Sequence, residues 1–182
     1  MAERIWTERV TGEINPIGIN CGNNSINKKL EEAYTLFLLR QGYTYAIRTD
    51  TKLLGYYMVT FRKISVHEWE THEINDYMSN MSQDYFSLHL QVIAIDEKYQ
   101  HHGVGTMILR DLMKQAKELS LRWPIRFMTL DALSDKYKWY NELGFKPINV
   151  NENYASGYYI RMYYDCIECR DTIEDYFEAT RE

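Results

Sequence analysis

Apolar and polar positions change period near the middle of the chain, and that change places the clearest pair of elements. Leu88, Leu90 and Val92–Ile95 form an apolar run that ends a strand expected over Tyr85–Ile95. Beyond a polar stretch, Val104, Ile108, Leu112, Ala116 and Leu119 recur at helical spacing, so Val104–Ser120 reads as an amphipathic helix. The connection between them ends in His101-His102-Gly103-Val104-Gly105. The unit is strand, tight glycine loop, helix. Strict alternation along the strand sets His89 on one face with Gln91 and Ile93, and Leu88, Leu90 and Val92 on the other.

The flanking segments extend the pattern. A short strand is expected over Arg4–Val10, then a loop over 13–24 broken by Pro16, Gly18 and Gly22. Asn24 or Ser25 caps a helix with the apolar stripe Ile26, Leu30, Ala33, Tyr34, Phe37 and Leu38, stopped by Gly42. Thr44–Thr49 and Leu53–Ile64 read as strands joined by a turn at Asp50-Thr51-Lys52. The stretch 65–84 is polar and irregular, a solvated connection or short helix. Its His67, Glu68, His72 and Glu73 fit no strong zinc pattern. After Pro124 the order is a strand over Ile125–Leu130, a helix over Asp135–Leu143 capped by Ser134 and stopped by Gly144, and strands over Phe145–Val150 and Tyr158–Asp165. An acidic helix is expected over 171–180. With no internal repeat, low-complexity tract or linker, 1–182 reads as one α/β domain.

Composition changes this picture little, but charge does. The chain has 182 residues and a net charge of −5, unevenly spread. Lys98–Lys146 carries nine Lys/Arg against five Asp/Glu, whereas Asn151–Glu182 carries three against eight. A positive middle suits an anionic ligand, and the acidic tail argues against a general nucleic-acid binder. Sixteen tyrosines suit half-buried strands. Cys21, Cys166 and Cys169 make no disulfide framework, and one Cys-x-x-Cys without a partner pair is weak ground for zinc. No apolar run approaches the roughly 20 residues of a membrane span. The N-terminus lacks a signal-peptide hydrophobic segment, so a cytoplasmic location is expected.

The glycine loop is where chemistry enters. Gly103 and Gly105 let the backbone turn sharply and approach a ligand. The first amides of the following helix have no intrahelical partner, so a phosphate there meets several donors and the positive end of the helix dipole. No Gly-Lys-Ser/Thr follows, and the third glycine of the dinucleotide fingerprint is missing. Gln100, Gly103 and Gly105 instead fill Gln/Arg-x-x-Gly-x-Gly/Ala, after the strand end Ile93-Ala94-Ile95-Asp96 and Tyr99. This resembles the acetyl-CoA pyrophosphate loop of the GNAT acetyltransferase superfamily. Downstream, Trp139-Tyr140-Asn141-Glu142-Leu143-Gly144-Phe145 resembles that family's aromatic-Tyr-x-x-x-Gly-Phe element. The two motifs stand in the family's order and separation, and the resemblance covers Leu88 to Phe145.

The resemblance implies a GNAT-like domain, a twisted mixed sheet of about six to seven strands flanked by helices. It implies acetyl-CoA as co-substrate and no metal. Main-chain groups near Ile93, Ala94 and Ile95 would hold pantetheine and the acetyl carbonyl, a bulge there freeing an N–H for the oxyanion. Gln100, His101, His102, Gly103, Val104, Gly105 and Thr106 would hold the pyrophosphate. The family often has Gly or a basic residue where His101 and His102 stand. Imidazole is only partly charged near neutrality, so the main chain carries the contribution there. Tyr140 falls in the catalytic-acid position, and a phenol with a reference pKa of about 10 keeps a proton to donate. His89 is the candidate base. An α-amino acceptor, with a pKa near 8, needs little help from one.

Three functional readings stay open. The first is an N-acetyltransferase moving acetyl from acetyl-CoA to an amine by direct attack, with Tyr140 protonating the leaving thiolate. The second is a toxin of a toxin–antitoxin pair that acetylates aminoacyl-tRNA. It rests on Cys21-Gly22, the helix after it, Leu54-Gly55-Tyr56-Tyr57 and Asp131-Ala132-Leu133, which resemble the GNAT toxins. The third is a non-catalytic CoA-binding or interaction module. The expected partners are an amine-bearing acceptor (small molecule, peptide or aminoacyl-tRNA), an antitoxin under the second reading, and a second copy through aromatic strands near the C-terminus. No membrane is expected. In GNAT folds the region matching 65–84 borders the acceptor site.

Overall fold

A computed structural model describes residues 4–12, 19–65, 84–148 and 159–166. Seven strands form one mixed sheet in the order β1-β2-β3-β4-β5-β7-β6. They are β1 (Trp6–Arg9), β2 (Gly42–Arg48), β3 (Leu53–Ser65), β4 (Asp84–Ile95), β5 (Ile125–Leu133), β6 (Lys146–Pro147) and β7 (Tyr159–Asp165). The helices are α1 (Asn24–Lys29), α2 (Ala33–Leu38), α3 (Val104–Ser120) and α4 (Tyr137–Glu142). Only β4 and β5 pair in parallel, because α3 crosses between them. The other strand pairs are antiparallel.

The two sheet faces are covered by different elements. On one, α3 buries Val104, Ile108, Leu109, Leu112 and Ala116 against Leu88, Leu90, Met128, Leu130 and Ala132. On the other, Leu30 and Ala33 pack on Ala46, Tyr56, Met58, Val92 and Ala94. The helical stripe expected in the N-terminal segment is broken by a 3-10 turn at Leu30–Glu32. That turn rotates the stripe, so Leu38 is left 59% exposed. The cap is Asn23 rather than Asn24 or Ser25, its side chain accepting from Ser25 N and Ile26 N. Gly42 does not stop the helix. Arg40 takes the left-handed conformation at φ 58, and Arg40 N and Gln41 N bond back to Phe37 O and Leu36 O. Gly42 opens β2 instead, where an added Cβ would lie 2.9 Å from Thr60 Cγ2.

Three further expectations shift. β5 runs to Leu133 rather than Leu130, because Asp131, Ala132 and Leu133 pair with Arg161, Ile160 and Tyr159 of β7. Ser134 is not a side-chain cap. It starts a 3-10 turn over Ser134–Lys136 that leads into α4. The strand expected from Phe145 to Val150 is the two-residue β6 among the described residues. The connection 66–83, the tail helix over 171–180 and Cys169 lie outside the described residues.

Alternation along β4 fails at one point. Met58 pairs with Val92 and Val59 with Leu90, so Gln91 has no counterpart on β3. The extra residue reverses the pattern. Ile93 and Ile95 join Leu88 and Leu90 on the α3 face, while Val92 and Ala94 join His89 on the other. The expected grouping of His89 with Gln91 and Ile93, and of Val92 with Leu88 and Leu90, is therefore wrong beyond Leu90.

The α3 contact carries much of the core. Leu109 is 0% exposed, so Leu109→Ala is expected to destabilise the fold by about 2–5 kcal/mol in denaturant titration, with the lower end if the site collapses.

Candidate active site

The site begins where β4 and β5 part. Their pairing runs from Phe86 and Ile125 to Leu90 and Leu130 and then stops. Beyond it, β4 pairs only with β3, and Asp131–Leu133 pairs only with β7. A wedge opens between the two strands. Asp96 N donates to Leu54 O on β3 at 2.9 Å. By antiparallel alternation Ala94 also turns its main chain to β3, and Ile93 and Ile95 turn theirs into the wedge. Ile95 O accepts there from Gln100 Nε2 at 2.9 Å. Gly55 makes this geometry possible, since a Cβ on it would run into Ala94 O and lie 3.1 Å from Ile95 Cα.

The loop after β4 is held from several sides. The Asp96 carboxylate, 8% exposed, accepts from Lys98 N and Asn20 N, each at 3.1 Å. Glu97 N donates to Asn20 O at 2.9 Å, and Asn20 Nδ2 donates to Glu97 Oε2 at 3.1 Å. Gln100 Nε2 also donates to Cys21 O at 3.0 Å, so this side chain braces the loop. His101 is left-handed at φ 62, His102 Nδ1 donates to Gln100 O at 2.6 Å, and Gly103 is left-handed at φ 79. Both imidazoles are exposed. The first bond of α3 runs from Met107 N to Gly103 O at 3.0 Å, which leaves the amides of Val104, Gly105 and Thr106 without a helical acceptor. These donors and the main chain of Ile93 and Ile95 fit a long ligand with phosphates at one end and a carbonyl at the other.

The two sequence motifs meet at Trp139. Its Nε1 donates to Thr106 Oγ1 at 3.1 Å, and its ring lies 3.6 Å from where a Cβ on Gly105 would sit. That is ordinary contact, so the position admits alanine as well as glycine. Next along α4, Tyr140 is 8% exposed, with its ring centroid 4.6 Å from that of Trp139 and 6.0 Å from that of Phe145. Burial alone pushes its hydroxyl well above the ordinary phenol range, so it stays protonated at neutral pH.

His89 stands apart from these groups, on the opposite face. It is 3% exposed, and its Nδ1 lies 3.0 Å from Thr129 Oγ1. Thr129 Oγ1 is 3.0 Å from Ser87 Oγ, which donates to Arg62 O at 3.1 Å. A carbonyl only accepts, so the chain has one direction: His89 Nδ1–H to Thr129, Thr129 O–H to Ser87, Ser87 O–H to Arg62 O. The neutral ring therefore carries its proton on Nδ1. Burial pushes His89 down to about 4, against a smaller upward pull from Asp131. It is a weak base in this setting. Beside it, Asp131 Oδ2 accepts from Arg62 Nη1 at 3.1 Å and Asp131 Oδ1 from Arg161 Nε at 3.3 Å. Among the described residues no cluster of three or more His, Cys, Asp or Glu could hold a metal ion. No helix among them is long and apolar enough to cross a membrane.

Residues 20–145 match the sequence profile of the Acetyltransferase (GNAT) family. The chain belongs to the GNAT acetyltransferase family. It is thus an acyltransferase, and the family's co-substrate is acetyl-CoA, as the loop motif implied. No curated protein matches the chain significantly in sequence. Solved structures share the GNAT fold over nearly the whole length. AtaT complexed with acetyl-methionyl-tRNAfMet aligns with a TM-score of 0.74 at 20% identity, over 96% of this chain and 99% of that one. A tyrosine-to-phenylalanine variant of KacT aligns with a TM-score of 0.75 at 22% identity, over 95% and 99%. A tyrosine-to-phenylalanine variant of the AtaT toxin, bound to the C-terminus of the antitoxin AtaR and acetyl-CoA, aligns with a TM-score of 0.67 at 20% identity, over 97% and 99%.

Within this GNAT domain the bracing by Asn20, Asp96 and Gln100 and the Arg62–Asp131–Arg161 group escaped the sequence reading. Asn20 and Asp96 are 76 positions apart, and Arg62 and Asp131 are 69 apart, so no local pattern joins them. The Asp131-Ala132-Leu133 stretch was the one available signal.

Two measurements follow from this geometry. Gly55→Ala is expected to shift β4 and weaken acetyl-CoA binding by calorimetry, because the obstructing atoms are main chain. The second concerns pH. His89 has a folded pKa below its unfolded value of 6.5, so its contribution is complete above pH 6.5 and is lost as pH falls toward about 4. Unfolding free energies at pH 7 and pH 5 are expected to differ by up to about 2 kcal/mol less in His89→Gln than in the parent.

Proposed function

We propose that this GNAT domain transfers acetyl from acetyl-CoA to the α-amino group of aminoacyl-tRNA by direct attack. The observation that carries the acceptor is the likeness, over 96% of this chain and 99% of the other, to AtaT complexed with acetyl-methionyl-tRNAfMet. The chemistry agrees with it. An α-amine with a pKa near 8 is appreciably neutral at pH 7, so it needs no side-chain base, and His89, buried on the opposite face with its proton held by Thr129, is not used as one. A lysine side chain, near 10.4, would need one.

In this reading the amides of Val104, Gly105 and Thr106 hold the pyrophosphate, and the main chain of Ile93 and Ile95 aligns the pantetheine and thioester. His101 and His102 contribute through their backbone. The amine lone pair forms the new N–C bond while the carbonyl oxygen gathers negative charge, which a wedge-facing N–H stabilises. The C–S bond then breaks, and Tyr140 gives its hydroxyl proton to the thiolate. The proton lost from nitrogen returns to the phenolate through solvent. Burial penalises a thiolate at this place as it does a phenolate, which keeps the transfer from being steeply uphill. By the same likeness the protein has a partner antitoxin, as AtaR is for AtaT.

The test is thiol release from acetyl-CoA with charged tRNA or with small amines and peptides as acceptors. Acetylation of charged tRNA is the expected result, and turnover confined to small amines or peptides would overturn the acceptor. Tyr140→Phe is expected to lower kcat by about 10²–10⁴-fold while acetyl-CoA affinity holds. Expression of the parent is expected to arrest growth and that of Tyr140→Phe to permit it.

A further inference from the structure

One charged group is used neither by the acetyl-CoA site nor by the proton donor. Arg62 on β3 and Arg161 on β7 close on Asp131 of β5, across β4 and on the face opposite α3. The three side chains are between 36% and 42% exposed. Asp131 is the first residue of β5 past its last pairing with β4, at Leu90–Leu130. The group therefore stands at the mouth of the wedge. Lys29 adds a third cation. Its ammonium lies 5.8 Å from the Tyr159 ring centroid, and its charge is felt at His89.

Two guanidiniums face one carboxylate, with the Lys29 ammonium over the Tyr159 ring, in a chain whose net charge is −5. Stability gives little reason for this. Half-exposed ion pairs contribute about 0–1 kcal/mol, and two arginines held on one carboxylate repel each other. The carboxylate does aim both planar forks at the same place, and such forks suit phosphate oxygens. The α3 amides that suit the pyrophosphate lie on the other face, so an anion here would not compete with acetyl-CoA.

We propose that Arg62 and Arg161, aimed by Asp131, form a second anion site that seats a backbone phosphate of the acceptor's nucleic acid beside the wedge. This rests on the aminoacyl-tRNA reading above. Asp131 is a positioning residue, and the arginines supply the contacts.

The test is equilibrium binding of charged tRNA across a salt series, with acetyl-CoA affinity and melting temperature read on each variant as checks of folding. Arg62→Gln and Arg161→Gln are each expected to weaken binding about 5–10-fold and to flatten the log–log salt slope by about one. Lys63→Gln removes the same charge from the next residue of β3, which points to the opposite face and pairs with Asp84. It is expected to stay within about 2-fold of the parent. Asp131→Asn is expected to weaken binding about 2-fold with the salt slope unchanged, since both cations remain but lose the carboxylate that aims them. Parent-like affinity and slope in both arginine variants would overturn the site. So would loss of binding in Asp131→Asn as deep as in the arginine variants, which would make the carboxylate, holding an ammonium, the ligand group. If the parent neither binds nor acetylates charged tRNA, the acceptor reading falls and this site with it. Acetylated charged tRNA with unmoved arginine variants removes the site alone.

Discussion

The fold turns on how many hydrogen-bonding neighbours β4 has at each point along its length. Up to Leu90 it is paired on both edges, by β3 and by β5. Beyond Gln91, which β3 leaves unmatched, it is paired on one edge only. A paired edge has no main-chain groups to offer, and an unpaired one must find partners for them. Gln100 supplies one by reaching Ile95 O. The wedge-facing amides are the remainder, and a carbonyl would suit them.

The bulge also reassigns faces. Without it, Ile93 and Ile95 would lie on the α1 and α2 side, and the wedge would have no apolar wall toward α3. With it, those two side chains pack with Trp139 and Tyr99 around the core that holds Tyr140. One extra residue thus brings the strand end, the start of α3 and the tyrosine of α4 onto the same face. His89, just before the bulge, stays behind on the other. There its proton is committed to Thr129, and burial keeps it neutral.

The loop that follows is tied down by the protein's own groups. Asn20, Asp96, Glu97 and Gln100 tie it to a segment some 76 to 79 positions earlier in the chain. Loop ordering is a large part of what binding costs, and bonds of this kind lower it. The electrostatics are divided in the same way. Main-chain dipoles at the start of α3 lie on one face, and the guanidiniums of β3 and β7 on the other.

Local pattern was enough for much of this. The helix from Val104 to Ser120 has the expected bounds, because its period is strong over many residues, and the central strand ends at Ile95 as expected but starts one residue earlier, at Asp84. The Gln100–Gly105 and Trp139–Phe145 motifs were legible because their chemistry is carried by contiguous residues, and the family match covers both. The short helices were read less well. Arg40 stands in for the expected glycine, one 3-10 turn interrupts the N-terminal helix at Leu30–Glu32 and another replaces the capped start at Ser134, choices set by packing rather than by propensity. What only the tertiary structure decided is the pairing count along β4. A bulge is a mismatch between two strands, and strict alternation on one strand cannot reveal it. The same holds for the meeting of Arg62, Asp131 and Arg161, whose strands β3, β5 and β7 the sheet order brings within reach, β7 beside β5 and β3 across β4.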